Sequence, residues 1–152
     1  MVRVIISGGQ TGADRAALDF ALEHGFAIKG YCPNGRRAYD GILDEKYPLL
    51  ETESSAYPPR TRLNVKIAQA TVIFNGLPEF SKGTHTTIKY ARDHHKKYLV
   101  LQNFPDIEKD AQELKAWLKA VNPESLNIDG NGEHKCPGIH SHVLNVLRKA
   151  LL

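Results

Sequence analysis

The stretch Val2-Arg3-Val4-Ile5-Ile6-Ser7-Gly8-Gly9-Gln10-Thr11-Gly12-Ala13-Asp14-Arg15 decides the fold. Its first six residues are rich in β-branched side chains and read as a buried strand. Three glycines among polar residues then mark a turn. Beyond it, Ala13, Ala17, Phe20, Ala21 and His24 fall on one helical face, and Gly25 supplies the stop. Phe26-Ala27-Ile28-Lys29-Gly30-Tyr31 reads as the next strand. A strand, a crossover helix and a second strand make the unit of a parallel sheet.

The same alternation continues outward. Residues 32–46 carry Pro33, Gly35, Gly41 and many charges and read as a long surface loop, with Tyr47–Glu51 as a short strand. Pro58-Pro59 opens a helix whose expected buried stripe is Leu63, Ile67 and Ala70. Thr71–Asn75 is a central strand, followed by a helix from about Thr84 to His95 and a strand at Tyr98–Leu101. Asp106 is placed to cap a helix carrying Ile107, Ala111, Leu114, Leu118 and Val121. Ser125–Ile128 is a last short strand, and Ile139, Val143, Val146, Leu147 and Ala150 form a closing helix. The expectation is one α/β domain over residues 1–152, with a mostly parallel sheet.

Composition narrows the setting. Hydrophobic residues make up 41% and charged residues 24%, a globular balance that excludes a wholly disordered chain. Two cysteines, Cys32 and Cys136, are too few for a disulfide scaffold and point to a reducing cytoplasm. No apolar run is long enough for a membrane span or a signal peptide. The net charge of +3 favours an anionic partner, but Lys and Arg are scattered and no nucleic-acid motif is present.

In an open parallel sheet, ligands sit beyond the carboxyl ends of the strands, where loops enter helices whose N–H groups favour anions. Three loops have suitable composition. In the first, Gly8, Gly9 and Gly12 allow close backbone approach, and Gln10 and Thr11 add polar contacts. This loop is neither a dinucleotide G-x-G-x-x-G nor a P-loop. Asp14 suits a catalytic role or a simple helix-dipole contact. In the second, Gly83 permits close approach, while Thr84 and Thr87 share one face of the opening turn. They would bind a ligand oxygen, unless Thr84 only caps the helix. In the third, His134, Cys136, His140 and His142 suggest zinc, but they sit in one short segment rather than in paired clusters, which argues against a metal. Arg60 and Asn64 share a helix face, and Arg60 suits a phosphate; Arg62 points away to solvent, and Arg36-Arg37 read as solvated. No carboxylate pair stands out as a glycosidase dyad.

These motifs carry a resemblance. The run Ser7–Asp19, Cys32-Pro33-Asn34-Gly35-Arg36-Arg37, Asp40-Gly41, Tyr47-Pro48-Leu49, Arg60-Thr61-x-x-Asn64-Val65, Gly83-Thr84-x-x-Thr87 and Pro137-Gly138-Ile139 together resemble the molybdenum carrier (molybdenum cofactor carrier protein) family. That family belongs with the Rossmann-like group that contains the Lonely Guy phosphoribohydrolases and the lysine-decarboxylase-like proteins. The resemblance implies a Rossmann-like open, mostly parallel sheet with helices on both faces. It also implies binding of molybdenum cofactor (molybdopterin), or a related phosphorylated, nucleotide-like ligand, for a molybdoenzyme recipient; self-association is expected because α/β folds of this kind are often oligomeric. Carried over, the binding positions are Gly8, Gly9, Gln10, Thr11, Gly12, Asp14, Arg60, Asn64, Gly83, Thr84 and Thr87. The phosphoribohydrolases carry a glutamate within three residues of their glycine-threonine pair; here Gly83-Thr84 is followed by His85-Thr86-Thr87, with no carboxylate. A neutral hydroxyl stabilises an oxocarbenium-like centre less well, which lowers the enzyme reading. The competing readings are therefore a carrier, a nucleotide or nucleotide-sugar hydrolase using Asp14, and an assembly protein whose glycine loops are structural.

Overall fold

The computed structural model describes all 152 residues. Five parallel strands form the central sheet: β1 (Val4–Ile6), β2 (Ala27–Lys29), β7 (Ala70–Phe74), β8 (Lys97–Leu101) and β9 (Ser125–Gly130). Their spatial order is β2-β1-β9-β7-β8. Helices α1 (Ala13–His24), α4 (Ile107–Val121) and α5 (Ile139–Leu151) pack together on one face; α2 (Tyr57–Ile67) and α3 (Lys82–Asp93) pack on the other. The Rossmann-like open parallel sheet, covered on both faces, is the observed architecture.

The strand read as last and short sits in the middle. β9 pairs with β1 through Val4–Ser125 to Ile6–Asn127 and with β7 through Ala70–Leu126 to Phe74–Gly130. If β9 and α5 were moved to the front of the chain, the sheet order would read 3-2-1-4-5, the order of a dinucleotide-binding fold. The chain ends suit such a rearrangement, because Met1, Val2, Ala150 and Leu151 line one surface groove.

Local chemistry explains most boundaries. Asp106 accepts from Lys109 N–H at 3.0 Å and caps α4 as expected. Helix α3 begins two residues earlier than expected because Ser81, not Thr84, is its cap, with Oγ accepting from Thr84 N–H at 3.1 Å. Gly30, at φ 132°, divides the expected second strand into β2 and β3 (Tyr31–Cys32), which pairs with β6 (Leu50–Glu51). The expected long loop is organised around the hairpin β4 (Arg37–Ala38) and β5 (Gly41–Ile42). Within it, Arg36 donates to the carbonyls of Leu43, Asp44, Tyr47 and Leu49, and Leu18, Cys32, Leu43, Tyr47 and Leu49 form a small apolar cluster. Arg36 is thus a strut rather than a solvated cation. The buried face of α2 also differs from expectation: Arg60, Asn64 and Val65 point inward, and Ile67 is 41% exposed. This inward stripe is largely polar, which an apolar periodicity does not register.

Candidate functional site

A polar cleft of about 190 Å³ opens at the carboxyl end of the sheet, between β9 and β7. β9 leads into α5 on one face, and β7 leads into α3 on the other. The cleft therefore lies where the connections part, the position at which open α/β sheets bind ligands. Of its 18 lining residues only two are hydrophobic, so the surface it presents is polar.

One wall is the start of α3. The N–H groups of Lys82 and Gly83, its first two residues, have no intrahelical acceptor. Gly83 faces open space, its nearest neighbour in the Cβ direction being Ser81 Oγ at 3.8 Å. Thr84 and Thr87 turn inward and are buried, with Thr84 Oγ1 donating to Asn75 Oδ1 at 3.2 Å. The opposite wall is the loop Gly130–Lys135. Asn131 anchors it, accepting from Gly76 N–H at 2.7 Å through Oδ1. Lys135 brings a cation to this wall, and His134 stacks on Tyr39 with ring centroids 3.7 Å apart.

The floor holds two carboxyls and one guanidinium. Arg60 Nη1 lies 3.1 Å from Asp14 Oδ2, and both side chains are buried. Asp129, at the end of β9, lies within hydrogen-bonding reach of Asp14. Its Oδ2 accepts from Thr87 Oγ1, and its Oδ1 accepts from Gly130 N–H at 2.8 Å. Burial, and after it the neighbouring Asp129, push the Asp14 carboxyl well above the usual carboxylate range; Arg60 opposes this and is outweighed. Asp14 Oδ1 and Arg60 Nε are buried with no partner in the protein.

The residues expected to bind divide into three groups. Gln10, Asp14, Arg60, Gly83, Thr84 and Thr87 line the cleft. Gly8 and Asn64 line a small adjoining recess, where Arg60 passes directly over Gly8. Asn64 clamps β3, accepting from Tyr31 N–H at 2.8 Å and donating to Tyr31 O at 3.1 Å. Gly9, Thr11 and Gly12 face protein: Gly9 packs on Leu43 and Leu49, Thr11 Oγ1 accepts from Glu133 N–H at 3.3 Å, and Gly12 packs on the backbone of Asn131–Glu133.

Asp129, beside Asp14, is a site carboxyl that the sequence reading did not single out. A carboxylate does stand against Thr87, but β9 supplies it rather than α3. An acidic residue followed by glycine at a strand end was the available signal, and the expected strand stopped one residue short of it. The histidines and cysteine of the third loop disperse. His140 pairs with Asp19 at 2.8 Å, His142 pairs with buried Asp110 at 2.7 Å, and Cys136 lies beneath Gly76.

Fold and site together define a Rossmann-like α/β domain with a polar cleft at its topological switch point. Residues 5–151 match the model of the circularly permutated YpsA SLOG family, and the chain belongs to that family. The crystal structure of a "putative molybdenum carrier protein" from Syntrophus aciditrophicus SB is similar throughout, with a TM-score of 0.94 and 36% identity over 99% of this chain and 96% of that one. The resemblance read from the sequence therefore holds. No curated protein matches the chain. No helix is long and apolar enough to cross a membrane.

Proposed function

We propose that the protein is a carrier of molybdenum cofactor or a closely related phosphorylated ligand, held in the cleft between β9 and β7. The observation that carries this reading is the open start of α3 in that cleft. There, two free N–H groups, the helix dipole and the cation Lys135 favour a phosphate. The floor offers a phosphate little, because its one guanidinium is already paired with Asp14 and the Asp129 carboxylate lies beside it. The phosphate accordingly sits at the α3 end and the uncharged part of the ligand on the floor. Arg60, committed to Asp14, supports the floor rather than grasping the phosphate. The same reading makes the protein a self-associating cytoplasmic carrier that hands its cargo to a molybdoenzyme.

A second reading rests on the carboxyl pair. A protonated Asp14 beside Asp129 suits general-acid assistance to cleavage of a glycosidic bond in a nucleotide or nucleotide sugar. One experiment separates the two: titrate the protein with molybdopterin, molybdenum cofactor and nucleoside monophosphates, and assay each mixture for released base or sugar phosphate. Binding without release supports the carrier. Release that disappears in Asp14→Asn supports the hydrolase, and no binding by any compound refutes both.

A further inference from the structure

In an open parallel sheet the helices begin at the end where ligands bind, so each helix start is a candidate anion position. In four of the five helices the protein itself occupies or removes donors of the first turn. At α1, Ala13 N–H donates to Asn131 O at 3.1 Å and Arg15 N–H to Gln10 O at 2.9 Å. At α2, Pro58 and Pro59 carry no N–H. At α4, the Asp106 side chain holds Lys109 N–H. At α5 the occupant is a carboxylate: Glu133 Oε2 accepts from Gly138 N–H at 2.7 Å, and Oε1 from His140 N–H at 3.0 Å.

This contact differs from an ordinary cap in place and kind. Glu133 lies five residues before Gly138, the N-cap of α5, and it spans two N–H groups with two charged oxygens, as a phosphate does. Thr11 Oγ1 accepts from Glu133 N–H at 3.3 Å and anchors its backbone. Burial pushes the Glu133 carboxyl up, but the Gly138 and His140 N–H groups outweigh it and hold the group below the usual range, so it is an anion at neutral pH. Its loop is also a wall of the cleft, through Gly132, His134 and Lys135. Helix α5 follows the central strand β9. In the unpermuted order it is the first helix, whose start takes the pyrophosphate in dinucleotide-binding folds.

We propose that the Glu133 carboxylate stands in for a phosphate at the start of α5 and thereby limits the cleft to ligands with a single phosphate group, a monoester rather than a diphosphate. A second phosphate directed at α5 would meet a like charge and find the N–H donors taken. The limit to one phosphate rests on the proposed anion site at α3; the occupation of α5 by Glu133 does not.

Glu133→Ala removes the internal anion, and because Glu133 is only half-buried, phosphate from solution can replace it. Calorimetric titration of the full chain with inorganic phosphate should give one phosphate bound by the parent and two by the variant. Phosphate at about a hundredfold excess over its Kd should raise the Tm of the variant by roughly 5–10 °C more than that of the parent, which carries the general salt effect. AMP and ADP should bind the parent within about tenfold of each other. If Glu133→Ala does not fold, Glu133→Gln keeps the side-chain length and one acceptor, and should show the same extra response to phosphate at smaller size. An equal phosphate response in variant and parent makes Glu133 a helix cap only; it overturns the inference and spares the α3 site. Two phosphates on the parent, or ADP more than about tenfold tighter than AMP, overturn it as well. No phosphate on the parent with one on Glu133→Ala removes the α3 site and the one-phosphate limit, and upholds Glu133 as the internal anion of α5.

Discussion

Gly12→Ala and Gly83→Ala should behave in opposite ways, although both glycines belong to loops read as ligand-binding. Gly12 sits at φ 82° and ψ −126°, a region that alanine enters only under strain. An added Cβ would stand 2.4 Å from Asn131 O, 2.6 Å from Glu133 N and 2.8 Å from Gly132 C. All three are backbone atoms. They cannot swing aside, because Ala13 N–H donates to Asn131 O at 3.1 Å and Glu133 N–H to Thr11 Oγ1 at 3.3 Å. Backbone strain costs ~1–3 kcal/mol and overpacking about as much again, so the expected loss is ~2–6 kcal/mol. That is a large part of an ordinary domain's stability of ~5–15 kcal/mol, and at this size it lowers Tm by roughly 5–20 °C.

Gly83 has no such neighbour, since the closest atom to its added Cβ is Ser81 Oγ at 3.8 Å. It lies in the first turn of α3, where alanine in place of glycine should stabilise by up to about 1 kcal/mol. Its methyl group nevertheless projects toward the N–H groups assigned to the phosphate, so ligand affinity should fall. Urea titration of the two variants, with phosphate or nucleotide binding measured beside it, reads both effects. Gly12→Ala within ~1 kcal/mol of the parent would refute the packing argument. Gly83→Ala with unchanged affinity would remove the start of α3 from the site.

Two further outcomes follow from the same geometry. Asp14 holds its proton more tightly folded than unfolded, so its favourable contribution is full below about pH 4 and is lost as pH rises through the raised folded value. The stability difference between Asp14→Asn and the parent should therefore shift in favour of the variant between pH 4 and pH 8, read from Tm; a flat or opposite trend contradicts the environment assigned to Asp14. A chain opened between Asn122 and Pro123, with a short flexible linker from Leu152 to Met1, should keep its circular dichroism spectrum and lose less than ~2 kcal/mol, because loop openings and closures of this kind are tolerated. Failure of that chain to fold would show that the junction before β9 is a structural requirement.

The parts legible in the sequence were those governed by local rules. A β-branched run, a glycine turn and an alanine-faced helix predict β1 and α1, and Asp106 caps α4 where its position says it should. Less legible were features set by partners far along the chain. Arg36 reads as solvated until the four carbonyls it holds are brought around it. Gly9 and Gly12 have the composition of a ligand loop, yet the atoms they admit belong to Leu43, Leu49 and Asn131–Glu133. Sequence composition shows that something approaches a glycine closely, but not whether the visitor is a ligand or the protein itself.

Strand β9 shows why the site was harder to read than the fold. As Ser125–Ile128 it is a short apolar segment near the end of the chain, where an edge strand would serve as well. Its place at the centre comes from pairing with two strands more than fifty residues away, β1 through Leu126 and Ile5, and β7 through Leu126 and Ala70. Central placement directs its carboxyl end into the crevice, and with it Asp129, Gly130 and Asn131. In an unpermuted chain the same strand would come first, and the loop after it would be the natural place to seek the ligand. Here the first loop of the chain belongs to the neighbouring strand β1. It contributes Gln10 and Asp14 to the cleft, while its glycines serve the packing of the loop that follows β9. Permutation thus separates two properties that usually coincide, being first in sequence and being first at the switch point. The second is the one that places the chemistry.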